Sequence, residues 1–166
     1  MMGQDIAEYG GVFKITEGFL QKFGEARIRN TPIIESGALG AAAGLALEGF
    51  KPLVEMQFAD FISCGFNQIV NNIAKSYYRW SSPMNITIRA PHGGGVGAGP
   101  FHSQSVEGWF MQPKTCYTVP YMIPIPCYFL SIKNCTEASE PRFPVMLLTN
   151  RWEKPKSGVK APMLPS

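Results

Sequence analysis

The sequence predicts an α/β domain, a parallel sheet with helices on both of its faces. Three short apolar segments at 32–34, 50–56 and 85–90 have strand character, and helical segments separate them. Parallel neighbours in a sheet need such crossover connections. The chain has 166 residues, of which 45% are hydrophobic and 16% are charged. This length is enough for one domain with a real core and too short for two ordinary domains.

The first part of the chain predicts the end of a strand and a short helix. The opening residues have one short apolar segment and reach a turn at Tyr9 to Gly11, as in a strand whose earlier part is missing. Residues 16–23 then predict a helix that has Thr16 as its N-cap and ends at Gly24.

The segment 30–49, NTPIIESGALGAAAGLALEG, joins the strand at 32–34 directly to a helix rich in Ala and Gly. Such a helix has little side-chain bulk, so we expect it to pack close against the sheet. Glu35 lies at the junction, where a carboxylate has little water around it. A carboxylate in such a place commonly serves catalysis or a cofactor. Alternatively, Glu35 caps the helix N-terminus, where a negative charge is favourable.

The next strand, helix and strand follow at 50–56, 58–78 and 85–90. Apolar residues recur at a helical spacing through the middle segment, which predicts one buried face. Parallel sheets bind ligands in the crevice at the carboxyl ends of their strands. The residues that fall at this edge are Glu35, Gln57, Phe58 and the loop after Ala90.

The loop at 91–105, PHGGGVGAGPFHSQS, contains five glycines and both histidines of the chain. Glycines at this density let backbone approach a ligand or another chain closely. No Gly-Lys-Ser/Thr follows and no helix opens on these glycines, which excludes a phosphate-binding P-loop and a dinucleotide fingerprint. A flexible solvent loop is the alternative. We interpret His102 as a functional group and His92 as a structural one.

Charge and cysteine content exclude several kinds of partner and site. The net charge is +3 without a Lys or Arg run, so neither nucleic acid nor an anionic membrane is indicated. The four cysteines form no Cys-x-x-Cys pair, so no metal site is predicted. There is no secretory signal and no apolar stretch of about 18 residues, so we expect a cytoplasmic protein with free thiols.

Two motifs give the sequence a specific resemblance. EMQFADF at 55–61, and HSQS at 102–105 after the glycine loop, resemble the pyrimidine-binding domain of the transketolase-like family. Within that family they resemble the beta subunits of thiamine-diphosphate-dependent 2-oxo acid dehydrogenases, of the branched-chain or pyruvate type. The resemblance extends over 3–112, which we take as a partial pyrimidine-binding domain.

The resemblance implies roles for five residues. Glu35 matches the glutamate that hydrogen-bonds a ring nitrogen of the cofactor's aminopyrimidine and so activates thiamine diphosphate. His102 matches the histidine that faces the substrate and assists transfer to lipoate. Phe61 matches the aromatic residue that packs on the pyrimidine, with Gln57 and Phe58 beside it. Ordinary core packing is an equally good interpretation of Phe58.

The implied reaction is oxidative decarboxylation of a 2-oxo acid, with transfer of an acetyl or 2-methylpropanoyl group to a lipoyl group. The implied partners are an alpha subunit or fused N-terminal half, a second beta subunit, and a lipoyl-bearing acyltransferase. The alpha half would hold the diphosphate and its magnesium ion, so no metal ligand is expected on this chain. Because half of the cofactor site lies elsewhere, we expect this chain alone to be inactive.

The segment 113–166 has a different composition. Nine of the 14 prolines lie there, but only one of the 17 glycines. Neither helical nor alternating periodicity is present. A shift of the reading frame by one base allows codons that spell segments similar to those the family carries next. Our hypothesis is that 113–166 is an aberrant, out-of-frame tail, in which 140–166 is poorly ordered.

Two other functions are compatible with parts of the sequence. A non-catalytic subunit-contact module would use the glycine loop and the Ala/Gly helix for contact alone. A nucleotide-binding sheet domain is the weaker alternative, because no phosphate loop is present.

Overall fold

The structure, a computed structural model, describes residues 1–92, 97–110 and 127–132. The strands in these residues are β1 (Met2–Gly3), β2 (Arg29–Asn30), β3 (Leu53–Glu55), β4 (Ile86–Pro91) and β5 (Cys127–Ile132). The α-helices are α1 (Phe19–Phe23), α2 (Glu35–Leu47), α3 (Ile62–Asn67) and α4 (Ser76–Trp80). The strands form one sheet in the order β2-β1-β3-β4-β5.

Strands β1 to β4 pair in parallel, and helices connect β1 to β2, β2 to β3 and β3 to β4. This arrangement confirms the predicted fold class. Strand β5 is antiparallel to β4, with Pro91 opposite Cys127 and Ile86 opposite Ile132. No element was predicted there, because 127–132 shows no alternating pattern. The hypothesis for 140–166 lies outside the described residues.

Two predicted elements near the N-terminus begin elsewhere. Residues 32–34 do not form a strand. Strand β2 lies earlier in the chain, and it ends at Asn30 because its partner β1 ends at Gly3. Helix α1 begins at Phe19 after Gly18, so Thr16 is not its N-cap. The buried Thr16 hydroxyl instead donates to the carbonyl of Ile6 at 2.8 Å and fastens the loop between them. Gly24 ends α1 as predicted.

The helical region predicted over 58–78 is divided into four pieces. A 3₁₀ turn at Ala59–Phe61 leads into α3, a π-helix follows at Gln68–Ile73, and α4 comes last. A π-helix rotates the residues after it relative to a continuous α-helix. Ile69 and Ile73 nevertheless remain buried, so the apolar face predicted from the spacing faces the core.

Apolar residues cover the sheet on both faces. The larger cluster joins α2, α3 and the π-helix to β3 and β4. The smaller cluster contains Ile6, Ala7 and Ile28, with side chains of α1 packed against it. Met2 of β1 packs on the larger cluster, whereas a Cβ atom at the next strand residue, Gly3, would lie 3.2 Å from Cγ2 of Ile6 in the smaller one. Since successive strand residues point to opposite faces, the two clusters lie on opposite sides of the sheet.

Helix α2 packs closely against α3, as expected for its Ala and Gly content. A Cβ atom at Gly65 would overlap the Cδ1 atom of Leu39, a residue with 0% exposure. The same Cβ would lie 3.7 Å from the backbone oxygen of Glu35. Gly65 therefore allows α3 to approach the first turns of α2.

Glu55 and Arg89 form a buried ion pair between β3 and β4. Their residues are 9% and 6% exposed. Burial raises the pKa of Glu55 to about 7, although the charge and the hydrogen bond of Arg89 act to lower that pKa. The second oxygen of Glu55 has no hydrogen-bond partner in the described part of the chain. The carboxyl group is therefore costly to ionise in the folded state.

We predict that Gly65→Ala lowers the free energy of unfolding by about 1 to 3 kcal/mol, because the added methyl group displaces Leu39 from the core. Gly44→Ala in the exposed part of α2 is the matched control, since no atom lies within 4 Å of its added Cβ. That change is expected to raise stability by about 0.5 to 1 kcal/mol. Denaturant unfolding measures both. Equal effects of the two substitutions would contradict the close contact.

We also predict a pH dependence that originates from Glu55. Its pKa is about 7 in the folded chain and near 4.5 in the unfolded chain. The folded state thus binds the proton more tightly, so this stability is complete below about pH 4.5 and is lost as pH rises through 7. Glu55→Gln mimics the protonated form.

Between pH 5 and pH 8 the natural chain is expected to lose on the order of 2 kcal/mol of stability relative to Glu55→Gln. The measurement is denaturant unfolding across this range, with the exposed Glu48→Gln as the control for removal of one charge. Parallel stability curves for the natural chain and Glu55→Gln would show that the buried carboxyl does not cause the dependence.

Candidate active site

The carboxyl ends of the parallel strands place several polar side chains at one edge of the sheet. Gln4 follows β1, Gln57 follows β3 and His92 follows β4. The chain leaves β1 toward β2 and then crosses back to β3, which lies on the other side of β1. Ligands of open α/β sheets bind at such a switch point. The structure therefore contains the edge that was predicted from the sequence, at the carboxyl ends of the parallel strands.

Glu35 is the first residue of α2, and Ile34 occupies the N-cap position before it. The Nε2 atom of Gln4 donates to Oε1 of Glu35 at 3.3 Å. The alternative interpretation, in which Glu35 is the N-cap of the helix, is therefore wrong. The helix N-terminus still favours a negative charge in this first turn. Glu35 is half-buried, so the dry junction expected from the sequence is only partly present.

Phe58, Phe61 and His102 form an aromatic cluster. The ring centroids lie 5.9 Å apart for Phe58 and Phe61, 4.8 Å for Phe58 and His102, and 5.3 Å for Phe61 and His102. All three contacts are edge-to-face, an arrangement that favours aromatic pairs. Phe13 extends the cluster with its ring centroid 5.5 Å from that of Phe58. The structure thus brings together residues that lie more than 40 positions apart in sequence.

This cluster lies at the start of α3, where the 3₁₀ turn Ala59–Phe61 leads into the helix. Phe61 precedes Gly65 by four residues, so the two share one helical face. Gly65 in turn faces the first turn of α2 through its approach to the backbone of Glu35. Gln57 is half-buried between β3 and Phe58. Glu35 and Phe61 therefore lie at the ends of α2 and α3 that approach each other at Gly65, and both side chains are partly open to solvent.

Sequence reasoning missed three residues of the site: Gln4, Phe13 and Asp60. Asp60 is 4% exposed, and its Oδ1 atom accepts the backbone N–H of Gln104 at 3.0 Å. The sequence carried a signal for Asp60, since it is an acid in the middle of the otherwise apolar end of EMQFADF. Gln4 follows a strand at the edge where parallel sheets commonly bind ligands, a position that would have identified it once β1 was recognised.

Several predictions concern the loop after β4. His92 is half-buried, and its predicted structural role stays a prediction. Residues 93–96 of the glycine loop lie outside the described residues. His102 lies in a turn, and its own backbone N–H donates to the carbonyl of Gly99 at 3.3 Å.

Within the described ranges, no three or more His, Cys, Asp or Glu side chains are grouped so that they could hold a metal ion. In that same part of the chain, no helix has the length and apolar character needed to cross a membrane.

The chain is similar to known proteins along most of its length. Residues 1–124 match the family described as the transketolase pyrimidine binding domain. The chain is 48% identical over 125 residues to the 2-oxoisovalerate dehydrogenase subunit beta of Bacillus subtilis. This match covers 72% of this chain and 38% of that protein. It is 35% identical over 156 residues to the pyruvate dehydrogenase E1 component subunit beta of Leifsonia xyli. This second match covers 93% of this chain and 46% of that protein.

A third relative is the 2-oxoisovalerate dehydrogenase subunit beta of Pseudomonas aeruginosa, with 39% identity over 143 residues. The chain spans less than half the length of each of these three relatives. The boundary at Gln112 stays a prediction. Since the family match covers about three quarters of the sequence, the chain belongs to the transketolase pyrimidine-binding domain family, and it resembles beta subunits of 2-oxo acid dehydrogenases.

Proposed function

We propose that this chain is the cofactor-activating half of the decarboxylating component of a 2-oxo acid dehydrogenase that uses thiamine diphosphate. The observation that carries the proposal is the Glu35 carboxylate, which Gln4 orients at the ligand-binding edge of the sheet. The cluster of Phe58, Phe61 and His102 provides an aromatic surface built from the turn before α3 and the loop after β4. The beta-subunit relatives support the same function.

The residues present fit the aminopyrimidine part of the cofactor. Such a ring needs a carboxylate for its ring nitrogen and an apolar surface for its face, and Glu35 and Phe61 are of these two types. Gln4 occupies Oε1 of Glu35, so we assign Oε2 to the ring nitrogen. We assign the diphosphate and its magnesium ion to an alpha subunit or fused N-terminal half. When bound, thiamine diphosphate supplies the electron sink for decarboxylation.

In this proposal Glu35 shares a proton with the ring nitrogen. The amide of Gln4 fixes the direction of the carboxylate, which saves the cost of orienting it when the ring arrives. Phe61, supported by Phe58, excludes water from one side of the ring. A hydrogen bond to a carboxylate is stronger when water is excluded, because the local dielectric constant is low.

His102 is assigned to the acyl-transfer step. A 2-oxo acid loses carbon dioxide, and the electron pair left on the acyl carbon reduces the disulfide of a lipoyl group. One sulfur takes the acyl group and the other takes a proton, which we assign to the imidazole of His102. Its edge contacts with Phe58 and Phe61 hold the ring at the mouth of the site.

Exposed apolar side chains support the proposed partners. Ile33 and Ile34, just before α2, are 84% and 52% exposed, and Leu45 and Leu47 at its other end are 40% and 54% exposed. Apolar surface of this kind commonly marks a subunit interface. We propose that an alpha half and a second beta subunit bind this chain, that a lipoyl-bearing acyltransferase accepts the product, and that the chain alone is inactive.

The same exposed surface favours a second candidate function. A non-catalytic module would use α2 and the residues before it for subunit contact alone, and Glu35 would then have no chemical role. The two candidates differ in what the carboxylate does once the complex has assembled.

We predict that Glu35→Gln in the complex of this chain with its alpha partner lowers thiamine-dependent decarboxylation of a 2-oxo acid by about 100-fold or more, because the glutamine cannot take the ring proton. Glu48→Gln, exposed at the other end of the same helix, is the matched control and is expected to keep full activity. Size-exclusion chromatography checks assembly. Full activity of an assembled Glu35→Gln complex would favour the contact module.

We also propose that 113–166 is an out-of-frame tail, on the basis of its change in composition. We expect resequencing of the gene around the codons for 112–115 to reveal a deletion at this junction, followed by a family-like sequence in a different reading frame. An uninterrupted frame in independent isolates, without an in-frame alternative, would disprove this origin.

A further inference from the structure

We propose that Asp60 is a positioning residue for His102, which holds the loop at 97–105 so that the imidazole stays against Phe58 and Phe61. The inference deepens the proposed function, since it rests on the assignment of His102 to acyl transfer. Asp60 itself contacts neither reacting group in this proposal; it acts through the backbone of the loop.

The contact between Asp60 and the loop joins two distant parts of the chain. Asp60 lies in the 3₁₀ turn Ala59–Phe61, between the two phenylalanines of the aromatic cluster. Its Oδ1 atom accepts the backbone N–H of Gln104, which is 44 residues away in sequence and two residues after His102. The turn that carries Phe61 and the loop that carries His102 are therefore tied at a point next to both rings.

Other hydrogen bonds in the loop do not replace this tie. The N–H of Ala98 donates to the hydroxyl of Ser103 at 2.8 Å, and the N–H of His102 donates to Gly99. Both bonds are internal to 98–103, so they give the loop a shape without attaching it to the helices. Gly97 and Gly99 have positive φ angles of 65° and 84°, which glycine tolerates without strain. The Asp60 bond gives the shaped loop its position.

The choice of a carboxylate at this position has a cost. Asp60 is 4% exposed, and its Oδ2 atom has no hydrogen-bond partner in the described part of the chain. A buried carboxylate oxygen without a donor is unfavourable. The compensation is a charge-assisted hydrogen bond to Gln104, which is stronger than a neutral one. A carboxylate kept at such a cost beside the cluster points to a requirement for a firmly placed loop.

The test uses the complex of the full chain with its alpha partner and thiamine diphosphate. Asp60→Ala removes the acceptor, whereas Asp60→Asn keeps an oxygen for Gln104. Ser63→Ala is the matched control, because the Ser63 hydroxyl donates to the backbone carbonyl of the same Asp60 at 3.0 Å and does not touch the loop. His102→Ala and the double variant of Asp60→Ala with His102→Ala complete the set.

The expected result is a selective loss of acyl transfer. Misplacement of a reacting group by about 1 Å costs on the order of 100-fold, so Asp60→Ala is expected to slow acylation of a lipoyl domain by about 10- to 100-fold. Decarboxylation with an artificial electron acceptor is expected to change less than about threefold, since Glu35 remains in place. Asp60→Asn is expected to restore acylation, and the double variant to be no slower than His102→Ala alone.

Hydrogen exchange separates the positioning role from the proposed function. The amide of Gln104 is expected to exchange faster in Asp60→Ala than in the natural chain, Asp60→Asn or Ser63→Ala, whether or not the complex is active. Unchanged exchange in Asp60→Ala would overturn the tie itself. Faster exchange with additive losses in the double variant, or an equal loss of decarboxylation, would overturn its link to His102. A natural complex without decarboxylation would instead disprove the proposed function.

Discussion

The close approach of α2 to α3 at Gly65 is the constraint on which the rest of the structure depends. A side chain at this position would push Leu39 out of the core, so only glycine lets the first turn of α2 lie against α3. Glu35 begins the first helix, and Phe61 immediately precedes the second. The same contact that completes the core thus brings the first turn of α2, which carries Glu35, against the helix that follows Phe61. Stability and the proposed chemistry share one packing requirement.

The site built on this contact is open on one side. Glu35, Phe58, Phe61 and His102 are all half-buried, and Phe13 is 44% exposed. A ring bound against these residues would be shielded from water only after a second polypeptide covered it. The exposed apolar residues around α2 are of the kind that such a partner would cover. The partial exposure of these residues therefore supports the proposal of a cofactor site shared between two halves.

The sequence predicted the elements better than the contacts between them. Ala- and Gly-rich composition indicated α2, short apolar segments indicated β3 and β4, and the need for crossovers predicted the parallel order of the strands. Motif resemblance named Glu35, but its bond to Gln4 joins residues 31 positions apart, and that of Asp60 to Gln104 joins residues 44 apart. Local patterns do not encode such contacts, because they form only after the strands have assembled. Thr16 shows the same limit. Its residue type and position suggested a helix N-cap, but in the folded chain its hydroxyl donates to the backbone carbonyl of Ile6.

The most direct measurement is made on the natural complex with a cofactor analogue in which the aminopyrimidine nitrogen assigned to Glu35 is replaced by C–H. The analogue keeps the size of the ring and loses the group that shares the proton. At full occupancy, determined by titration, the account predicts decarboxylation slower by about 100-fold or more than with thiamine diphosphate. A similar rate with both cofactors at full occupancy would contradict the role of Glu35.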